Sequence, residues 1–279
     1  MRRIAGLRDI ADQFDLYLVD QYGVLHDGVA AYPGAIDAMA RLASGGRRIV
    51  VLTNSGKGAS DNAARLASLG FSGANIHAVV SSGNVALQLV RSGAFGARFA
   101  RGADVCVIGR SGDSYAFSSA DFNLVDRPQD AAFLVFAGSD APRTSFEAYR
   151  AMLAPAVRAR VPALCVNPDI TMIRDGELVA APGAIAKIYQ ELGGSVEHVG
   201  KPHRAIFSHA LSMAAMGADA RTVMIGDSPE HDLCGARTLG LSTLLVRTGI
   251  HRSISEPEYL AFCASACGMP EFLAEGFKW

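Results

Sequence analysis

The chain has 279 residues, of which half are apolar and 19% are charged, and its formal net charge is −1. This length allows two modest domains or one large domain with a substantial core. The charge balance excludes an overall field that attracts nucleic acid or anionic lipid, so any affinity for phosphate must come from a local site. The chain contains no run of about 18 apolar residues, so the sequence predicts no membrane span. Asp9 and Asp12 interrupt any signal-peptide core, which predicts a cytoplasmic protein.

The first section of the chain alternates short apolar runs with helical patterns. Apolar runs of this length, separated by helices, are typical of buried strands in a parallel sheet. The predicted elements are strand Leu16–Val19, helix Gly34–Ala43, strand Arg48–Leu52 and helix Ser60–Leu69.

The middle section has a less regular order and ends in a predicted hairpin. Its expected helices and strands are helix Asn84–Val90, strand Asp104–Ile108, strand Ala131–Ala137, helix Thr144–Leu153 and strand Ala163–Val166. Met172–Val179 is predicted to form a β-hairpin because Asp175-Gly176 suits a tight turn.

The regular alternation returns in the last section. The predicted elements are helix Gly183–Leu192, strand Glu197–Val199, helix Arg204–Met216, strand Thr222–Ile225, helix Glu230–Leu239 and strand Ser242–Val246. The whole order predicts an α/β core built from residues 1–83 and 182–279, with an α/β domain inserted over residues 84–181. The joins are expected near Ser81-Ser82-Gly83 and Ala181-Pro182-Gly183, where small residues and a proline suit a hinge.

The cysteine spacing indicates neither a disulfide framework nor a zinc site. The chain has five cysteines and no C-x-x-C pair, which predicts neither a set of disulfides nor a zinc ribbon. Cys263 and Cys267 lie one helical turn apart and are expected to be packing residues rather than metal ligands.

Four predicted strands are followed by polar groups that suit chemistry on a phosphate. Asp20 follows the first strand, Thr53-Asn54-Ser55 the second, Lys201 a later one, and Asp227 the strand Thr222–Ile225. Ligands of parallel sheets gather at the carboxyl ends of strands. Each of these residues alone would be an ordinary cap or turn former, but their joint arrangement favours a site.

Each residue type has a physical task in such a site. An aspartate such as Asp20 can attack phosphorus and form an aspartyl-phosphate, which divides one difficult displacement into two easier steps. Mg²⁺ binds carboxylate, phosphate and water oxygens, and Asp20 and Asp227 supply two carboxylates. The Thr53 hydroxyl and the following Asn54 and Ser55 are predicted to hold phosphate oxygens, and Lys201 neutralises charge on the transferring group.

This set of motifs resembles the haloacid-dehalogenase-like phosphohydrolases. Asp20 matches the nucleophile motif, Thr53 the second motif, Lys201 the third, and Gly226-Asp227 with Asp232 the fourth. The resemblance implies a Rossmann-like parallel-sheet core and Mg²⁺ as cofactor.

The resemblance also implies roles for individual residues. The metal ligands would be Asp20, the main-chain carbonyl of Tyr22 and Asp227, while Asp232 would orient Lys201. An alternative for Asp232 is a carboxylate at the front of a helix, favoured by the helix dipole.

The inserted segment resembles the class IIA cap of the nitrophenyl-phosphate and N-acetylglucosamine-phosphate phosphatases. Asn167-Pro168-Asp169, followed by Ala181-Pro182-Gly183-Ala184, carries this likeness. It implies that Asn167 and Asp169 face the active site and select the leaving group; an Asx turn before a strand remains the alternative. Relatives of this class often form dimers through their caps, and the apolar middle segment permits a homodimer.

Tyr22 departs from the family pattern, which has an aspartate two residues after the nucleophile as acid and base. General acid–base catalysis contributes about 10²–10⁴-fold. As a catalytic residue, the Tyr22 phenol can donate a proton, but it is a poor base near pH 7. The hypothesis is therefore a Mg²⁺-dependent phosphatase that hydrolyses a small phosphate monoester through Asp20, slowly because of Tyr22. The alternative is a catalytically impaired phosphate-ester-binding or regulatory protein on the same scaffold. His26 and Asp27 are candidates for a replacement acid, with a solvated turn as the favoured interpretation.

Two other functions are disfavoured by the sequence. A phospho-accepting signalling domain also uses aspartate, threonine and lysine at strand ends, but the segment between Thr53 and Lys201 is too long for a compact receiver. A nucleotide kinase would require a Gly-x-x-x-x-Gly-Lys-Ser/Thr loop, which the chain does not contain.

Overall fold

A computed structural model describes residues 1–118, 121–174 and 176–279 of the chain. The chain divides into two compact units, and the second unit interrupts the first in sequence. The first unit comprises Met1–Thr53, Ser60–Val80 and Lys201–Trp279, and the second comprises Asn54–Ala59 and Ser81–Gly200.

The strands and helices alternate along most of the chain. The strands are β1 (Arg2–Arg3), β2 (Leu16–Asp20), β3 (Arg48–Thr53), β4 (Ala78–Ser81), β5 (Asp104–Ile108), β6 (Asn123–Leu124), β7 (Phe133–Phe136), β8 (Ala163–Cys165), β9 (Thr171–Arg174), β10 (Glu177–Ala180), β11 (Val196–His198), β12 (Thr222–Gly226), β13 (Ser242–Val246) and β14 (Phe272–Ala274). The helices are α1 (Ala35–Ser44), α2 (Ala59–Ser68), α3 (Ser82–Arg91), α4 (Phe146–Arg158), α5 (Pro182–Glu191), α6 (Arg204–Ala214), α7 (Cys234–Arg237) and α8 (Glu256–Ala266).

The first unit is built on a sheet whose strand order, among the described residues, is β1-β14-β13-β12-β2-β3-β4. The pairs around its centre, β12 with β2 and β2 with β3, are parallel. Every residue of β2 and of β12 is buried, as expected for central strands that helices cover on both faces. The predicted α/β class with a Rossmann-like parallel sheet is confirmed.

Helix α1 shows why these segments become helices. Its buried residues are Ala35, Ala38, Met39 and Leu42, a spacing that places them on one stripe of a helix with 3.6 residues per turn. They join a core cluster that includes Tyr17 and Val19 of β2. The packing of this stripe therefore fixes β2, and with it the position of the residue that ends it.

The second unit contains a parallel sheet of its own. Its order among the described residues is β11-β8-β7-β5-β6, and each neighbouring pair is parallel. The predicted hairpin is present as the antiparallel pair of β9 and β10. Gly176 in its turn has φ +85°, while Asp175, which the turn prediction also names, lies outside the described residues.

The second compact unit ends later than the sequence prediction places the end of the inserted domain. The predicted join lies at 181–182, but helix α5 contributes Ile185, Ala186 and Tyr189 to the hydrophobic core of the second unit. Strand β11 pairs with β8 of the second sheet. Because the apolar pattern of α5 and β11 would suit either sheet, sequence alone could not show which sheet they join.

This result also corrects the interpretation of the strand before Lys201. The strand pattern predicts that Glu197–Val199 ends at the same sheet edge as the strand that carries Asp20 at its end. The observed strand β11 belongs to the second sheet, and Lys201 is the first residue of the chain's return to the first unit.

Cys234 and Cys267 form a disulfide bond, although the cysteine spacing predicts no disulfide framework. The bond joins the start of α7 to the residue after α8. Cys263, expected to be a packing residue, is buried as a free thiol. The two bonded cysteines are 33 residues apart, a separation that carries no sequence signature.

Among the residues that the structure describes, no helix is both long enough and apolar enough to cross a lipid bilayer.

Candidate active site

The carboxyl ends of three neighbouring strands of the first unit carry residues predicted to act in catalysis. Strand β2 lies between β12 and β3. In the register, Asp20 is paired with Leu52 and Val19 with Ile225. Because the strands are parallel, Asp20, Thr53 and Asp227 follow at one edge of the sheet. Asp20 and Asp227 are buried, with exposed fractions of 7% and 4%.

A buried ion-pair cluster joins Lys201 to two of the predicted carboxylates. Lys201 Nζ lies 2.7 Å from Oδ1 of Asp20 and 2.7 Å from Oδ1 of Asp232. Burial by itself would lower the pKa of Lys201, but the charges and hydrogen bonds of the two carboxylates outweigh it and raise that pKa. Lys201 is therefore a fixed ammonium ion directed at Asp20.

The second oxygen of Asp232 is also engaged. Its Oδ2 accepts a hydrogen bond from the main-chain N–H of Ser228 at 3.1 Å. Asp232 is 1% exposed and lies in a π-helical turn over Pro229–Leu233. With one oxygen on Lys201 and the other on the backbone, its carboxylate is fixed in a position suited to orienting the lysine.

Asp227 is held by a loop that follows β13. The main-chain N–H of Ile250 donates to Asp227 Oδ2 at 3.1 Å, and the Tyr259 hydroxyl donates to the Asp227 main-chain carbonyl at 2.8 Å. A Cβ on Gly23, whose φ is +88°, would lie 2.5 Å from Asp227 Oδ2. Only glycine fits there.

This loop has no side-chain motif that predicts its place in the site. The strand Ser242–Val246 is predicted, but nothing in the segment Thr248-Gly249-Ile250 that follows it marks a site residue. A main-chain donor has no side-chain signature. The available signal was a glycine shortly after a buried strand, at the edge where the other site residues lie.

The three carboxylates form one compact acidic group. One oxygen from each of Asp20, Asp227 and Asp232 lies within 4.8 Å of the others. Burial raises the pKa of Asp20 to about 7; Lys201 opposes this rise and the Asp232 charge adds to it. Burial also raises the pKa of Asp227, as do the charges of Asp20 and Asp232. Three carboxylates against one ammonium leave an excess of negative charge, which fits a divalent cation with oxygen ligands.

The hydrogen bonds distinguish which oxygens remain open to such a cation. Asp20 Oδ1 accepts from the Gln21 N–H at 2.7 Å and faces Lys201. Asp20 Oδ2 and Asp227 Oδ1 accept no hydrogen bond from any residue that the structure describes. Asp232 has both oxygens occupied. Asp20 and Asp227 are therefore the better-suited ligands.

Tyr22 stands beside a tightly bonded turn. Its side chain is 43% exposed, its ring meets the His26 ring edge-on at 4.9 Å, and a Cβ on Gly28 would overlap its hydroxyl. His26 Nδ1 accepts from the Gly28 N–H at 3.0 Å, and Nε2 lies 3.1 Å from the Gln21 side-chain amide. The phenol therefore packs over this turn.

The favoured interpretation of this turn as solvated is wrong for His26, which is 1% exposed. Burial, with a smaller effect of Arg65, lowers the pKa of His26 to about 4, so the ring is neutral and both its nitrogens are engaged. A replacement acid at His26 is not supported. Asp27 does form a turn, because its Oδ1 accepts from the N–H groups of Val29 and Ala30.

The remaining predicted residues lie in the second unit, where three of them meet. Asn54 Nδ2 donates to Asp169 Oδ1 at 2.8 Å. Asn167 Oδ1 accepts from the Asp169 N–H at 3.1 Å, which is the Asx turn considered as an alternative. Ser55 Oγ accepts from the Lys57 N–H at 3.2 Å.

Family models match two stretches of the chain. Residues 17–123 match a model described as haloacid dehalogenase-like hydrolase, and residues 198–262 match one described as HAD-hydrolase-like. The first match includes Asp20 and Thr53, and the second includes Lys201, Asp227 and Asp232.

Relatives match over nearly the whole chain. Human chronophin is 30% identical over 268 residues, which cover 93% of this chain and 90% of chronophin. The D-glycerol 3-phosphate phosphatase of Mycobacterium tuberculosis is 27% identical over 246 residues, covering 88% of this chain and 66% of that protein.

Solved structures show the same fold. A haloacid dehalogenase-like hydrolase from Brucella suis has a TM-score of 0.82 and 28% identity, covering 98% of this chain and 99% of its own. The M. tuberculosis glycerol phosphate phosphatase was solved with calcium (TM-score 0.65, 26% identity, 86% and 68% covered). It was also solved with magnesium (TM-score 0.72, 24% identity, 95% and 75% covered). The motifs, the fold and these matches together show that this chain belongs to the haloacid dehalogenase-like hydrolases.

Proposed function

We propose that this protein is a Mg²⁺-dependent phosphatase that hydrolyses a small phosphate monoester through an aspartyl-phosphate on Asp20. One observation carries the proposal: Lys201 holds Oδ1 of the buried Asp20, Oδ2 of Asp20 accepts no hydrogen bond from a described residue, and the Asp227 carboxylate lies beside it. A nucleophile held at one oxygen and open at the other is what attack on phosphorus requires.

In the proposed reaction, an oxygen of the Asp20 carboxylate forms a bond to phosphorus while the bond from phosphorus to the leaving oxygen breaks and the leaving oxygen takes a proton from solvent water. Water then hydrolyses the acyl phosphate, releases inorganic phosphate and regenerates the carboxylate. Lys201 supplies a fixed positive charge next to the reacting carboxylate, where charge develops on the phosphoryl oxygens. Asp232 keeps that ammonium in position.

The proposed metal ligands are Asp20, the Tyr22 carbonyl and Asp227. Bound Mg²⁺ would supply positive charge that keeps both carboxylates ionised and screens the substrate phosphate. The magnesium complex of the M. tuberculosis relative supports this choice of ion. Thr53, Asn54 and Ser55 as phosphate ligands, and Asn167 and Asp169 as substrate-selecting residues, remain predictions from the sequence.

The substrate class follows from the relatives as a proposal. Relatives named for a substrate include a D-glycerol 3-phosphate phosphatase and a dihydroxyacetone phosphatase. Three-carbon phosphates are therefore the first esters to screen, followed by aryl and sugar phosphates.

The test is hydrolysis of p-nitrophenyl phosphate with and without Mg²⁺. We expect Mg²⁺-dependent release of nitrophenol, and its loss in Asp20→Asn. Asp37→Asn is the matched control because Asp37 lies exposed on α1 and pairs with Arg41. Activity that survives Asp20→Asn would refute the nucleophile.

Tyr22 motivates a second candidate, a phosphate-ester-binding protein with little turnover. Its phenol packs on the turn at His26 and Gly28, and no carboxylate stands two residues after Asp20. This candidate predicts no hydrolysis but Mg²⁺-dependent binding of orthovanadate, measured by calorimetry, with loss of binding in Asp227→Asn.

A further inference from the structure

The sheet of the second unit has a topological switch point of its own. From β5 the chain passes to β6 on one side, and then to β7 on the other side of β5, continuing to β8 and β11. This is the strand order 2-1-3-4-5 of doubly wound sheets, in which ligands bind outside the carboxyl ends of the first and third strands. Those strands are β5 and β7 here.

A cavity of about 370 Å³ lies at this point. It is lined by the end of β5 and the loop after it, by the residues that follow β6, by Asp140 after β7, and by one side of α4. Ile108, Leu124 and Met152 supply apolar surface. Ligand pockets in proteins range from about 300 to 1,000 Å³, so the volume suits one small molecule.

Tyr115 ties together the two loops on either side of the switch point. Its hydroxyl accepts a hydrogen bond from the Arg110 N–H at 2.9 Å, and its ring fills the space that a Cβ on Gly109 or Gly138 would occupy. Because the ring is buried between residues that follow β5 and β7, the wall of the cavity is preformed.

The charges on the cavity disfavour an anion. Three carboxylates line the cavity, those of Asp113, Asp126 and Asp140, and Arg110 supplies a positive charge there. Asp113 is already paired with Lys57 at 3.1 Å. Asp140 Oδ1 is buried and accepts no hydrogen bond from any described residue. A buried hydrogen-bond acceptor without a partner destabilises the fold. A ligand that donates a hydrogen bond to Asp140 Oδ1 would remove this cost.

We propose that this cavity binds an uncharged nucleoside, or a small molecule with the same chemistry: a flat ring carrying hydroxyl or amino donors. The apolar surface suits the ring, and the carboxylates suit the donors. Asp126 follows the second strand of this sheet, the place from which an acidic side chain holds ribose hydroxyls in dinucleotide-binding folds. The excess of carboxylates disfavours the corresponding phosphate.

The test measures binding of adenosine, guanosine, cytidine and uridine by calorimetry, using Asp20→Asn protein so that the outcome does not depend on phosphatase activity. We expect at least one nucleoside to bind with a Kd below about 1 mM. We expect its 5′-monophosphate to bind this cavity, scored as the binding that Met152→Trp removes, at least about tenfold more weakly. Asp126→Asn should weaken binding about tenfold, whereas Asp130→Asn, a nearby exposed aspartate paired with Arg127, should leave it unchanged.

Filling the cavity provides an independent variant. Met152→Trp should abolish binding, and its far-UV circular dichroism and unfolding midpoint would show that the unit is still folded. The proposal is overturned if none of the four nucleosides binds below about 1 mM, or if the monophosphate binding that Met152→Trp removes is as tight as that of the nucleoside. It is also overturned if nucleoside binding is unaffected by both Asp126→Asn and a folded Met152→Trp.

Discussion

Replacing Asp227 by asparagine should change the stability of the protein in opposite directions with and without magnesium. In the metal-free site, burial and like charges raise the pKa of Asp20 to about 7 and raise the pKa of Asp227. Two unit charges within 4.8 Å of one another repel by about 3.5 kcal/mol at an effective dielectric constant of about 20, and where the pair binds a proton instead, a comparable cost in stability remains. The amide of the Asp227→Asn variant would keep an oxygen for the Ile250 N–H but lose about 1 kcal/mol of charge-assisted hydrogen bonding. Allowing for lost attraction to Lys201, the metal-free variant should be about 1–3 kcal/mol more stable than wild type.

Magnesium should reverse this order. A ligand at about 100 times its Kd stabilises the folded state by about 2.7 kcal/mol, and only wild type keeps both proposed carboxylate ligands. The assay is urea unfolding at fixed pH, in EDTA and in excess Mg²⁺, with Asp37→Asn expected to follow wild type in both. The reasoning is refuted if Asp227→Asn is less stable than wild type in EDTA, or if it gains as much stability from Mg²⁺.

Three further substitutions test other parts of the site. Lys201→Met should lower the free energy of unfolding by about 3–5 kcal/mol, because it leaves buried carboxylates unpaired; urea unfolding against the exposed-site control Lys187→Met measures this, and equal effects would contradict it. Gly23→Ala should remove the Mg²⁺-dependent thermal shift because its Cβ would press on the Asp227 carboxylate, whereas Gly46→Ala, also at positive φ but with open space around it, should keep the shift. Tyr22→Asp should raise kcat on p-nitrophenyl phosphate by about 10²–10⁴-fold and Tyr22→Asn should not; equal rates would show that another group handles the proton.

The parts of the fold that sequence could predict are those in which local pattern and burial coincide. Strands β2, β3 and β12 are continuous apolar runs, and they are buried along nearly their whole length. Because the carboxyl ends of parallel strands meet at one edge, predicting the strands was enough to predict that Asp20 and Asp227 would come together.

The parts of the fold that the sequence did not predict include a segment whose apolar pattern allows it to pack against either of the two sheets. Helix α5 has an apolar stripe that could cover either sheet, and only the packing shows that it covers the second. Helix α8 was not predicted, although Ser255 and Glu258 form a capping box at its start, a signal that sequence does carry. Only Tyr259 and Cys263 of α8 are buried, and two apolar positions are too few to show the periodicity of a helix in the sequence.

The three site aspartates show why the residue type alone could not assign roles. All three are buried carboxylates of one cluster, and sequence distinguishes them only through the resemblance to a family. Their hydrogen bonds provide a physical distinction. Asp232 has Lys201 on one oxygen and the Ser228 N–H on the other, so both of its oxygens already have a partner.

Asp20 and Asp227 each retain an oxygen that no described residue donates to, but they differ in what holds the other one. Asp20 Oδ1 meets an ammonium ion and a backbone N–H, whereas Asp227 Oδ2 meets a backbone N–H alone. The nearby ammonium keeps positive charge where a phosphoryl group bonded to Asp20 would place its oxygens. A carboxylate with that neighbour suits the nucleophile as well as a metal ligand, and one without it suits a metal ligand alone, so the position of a single lysine marks Asp20 as the nucleophile.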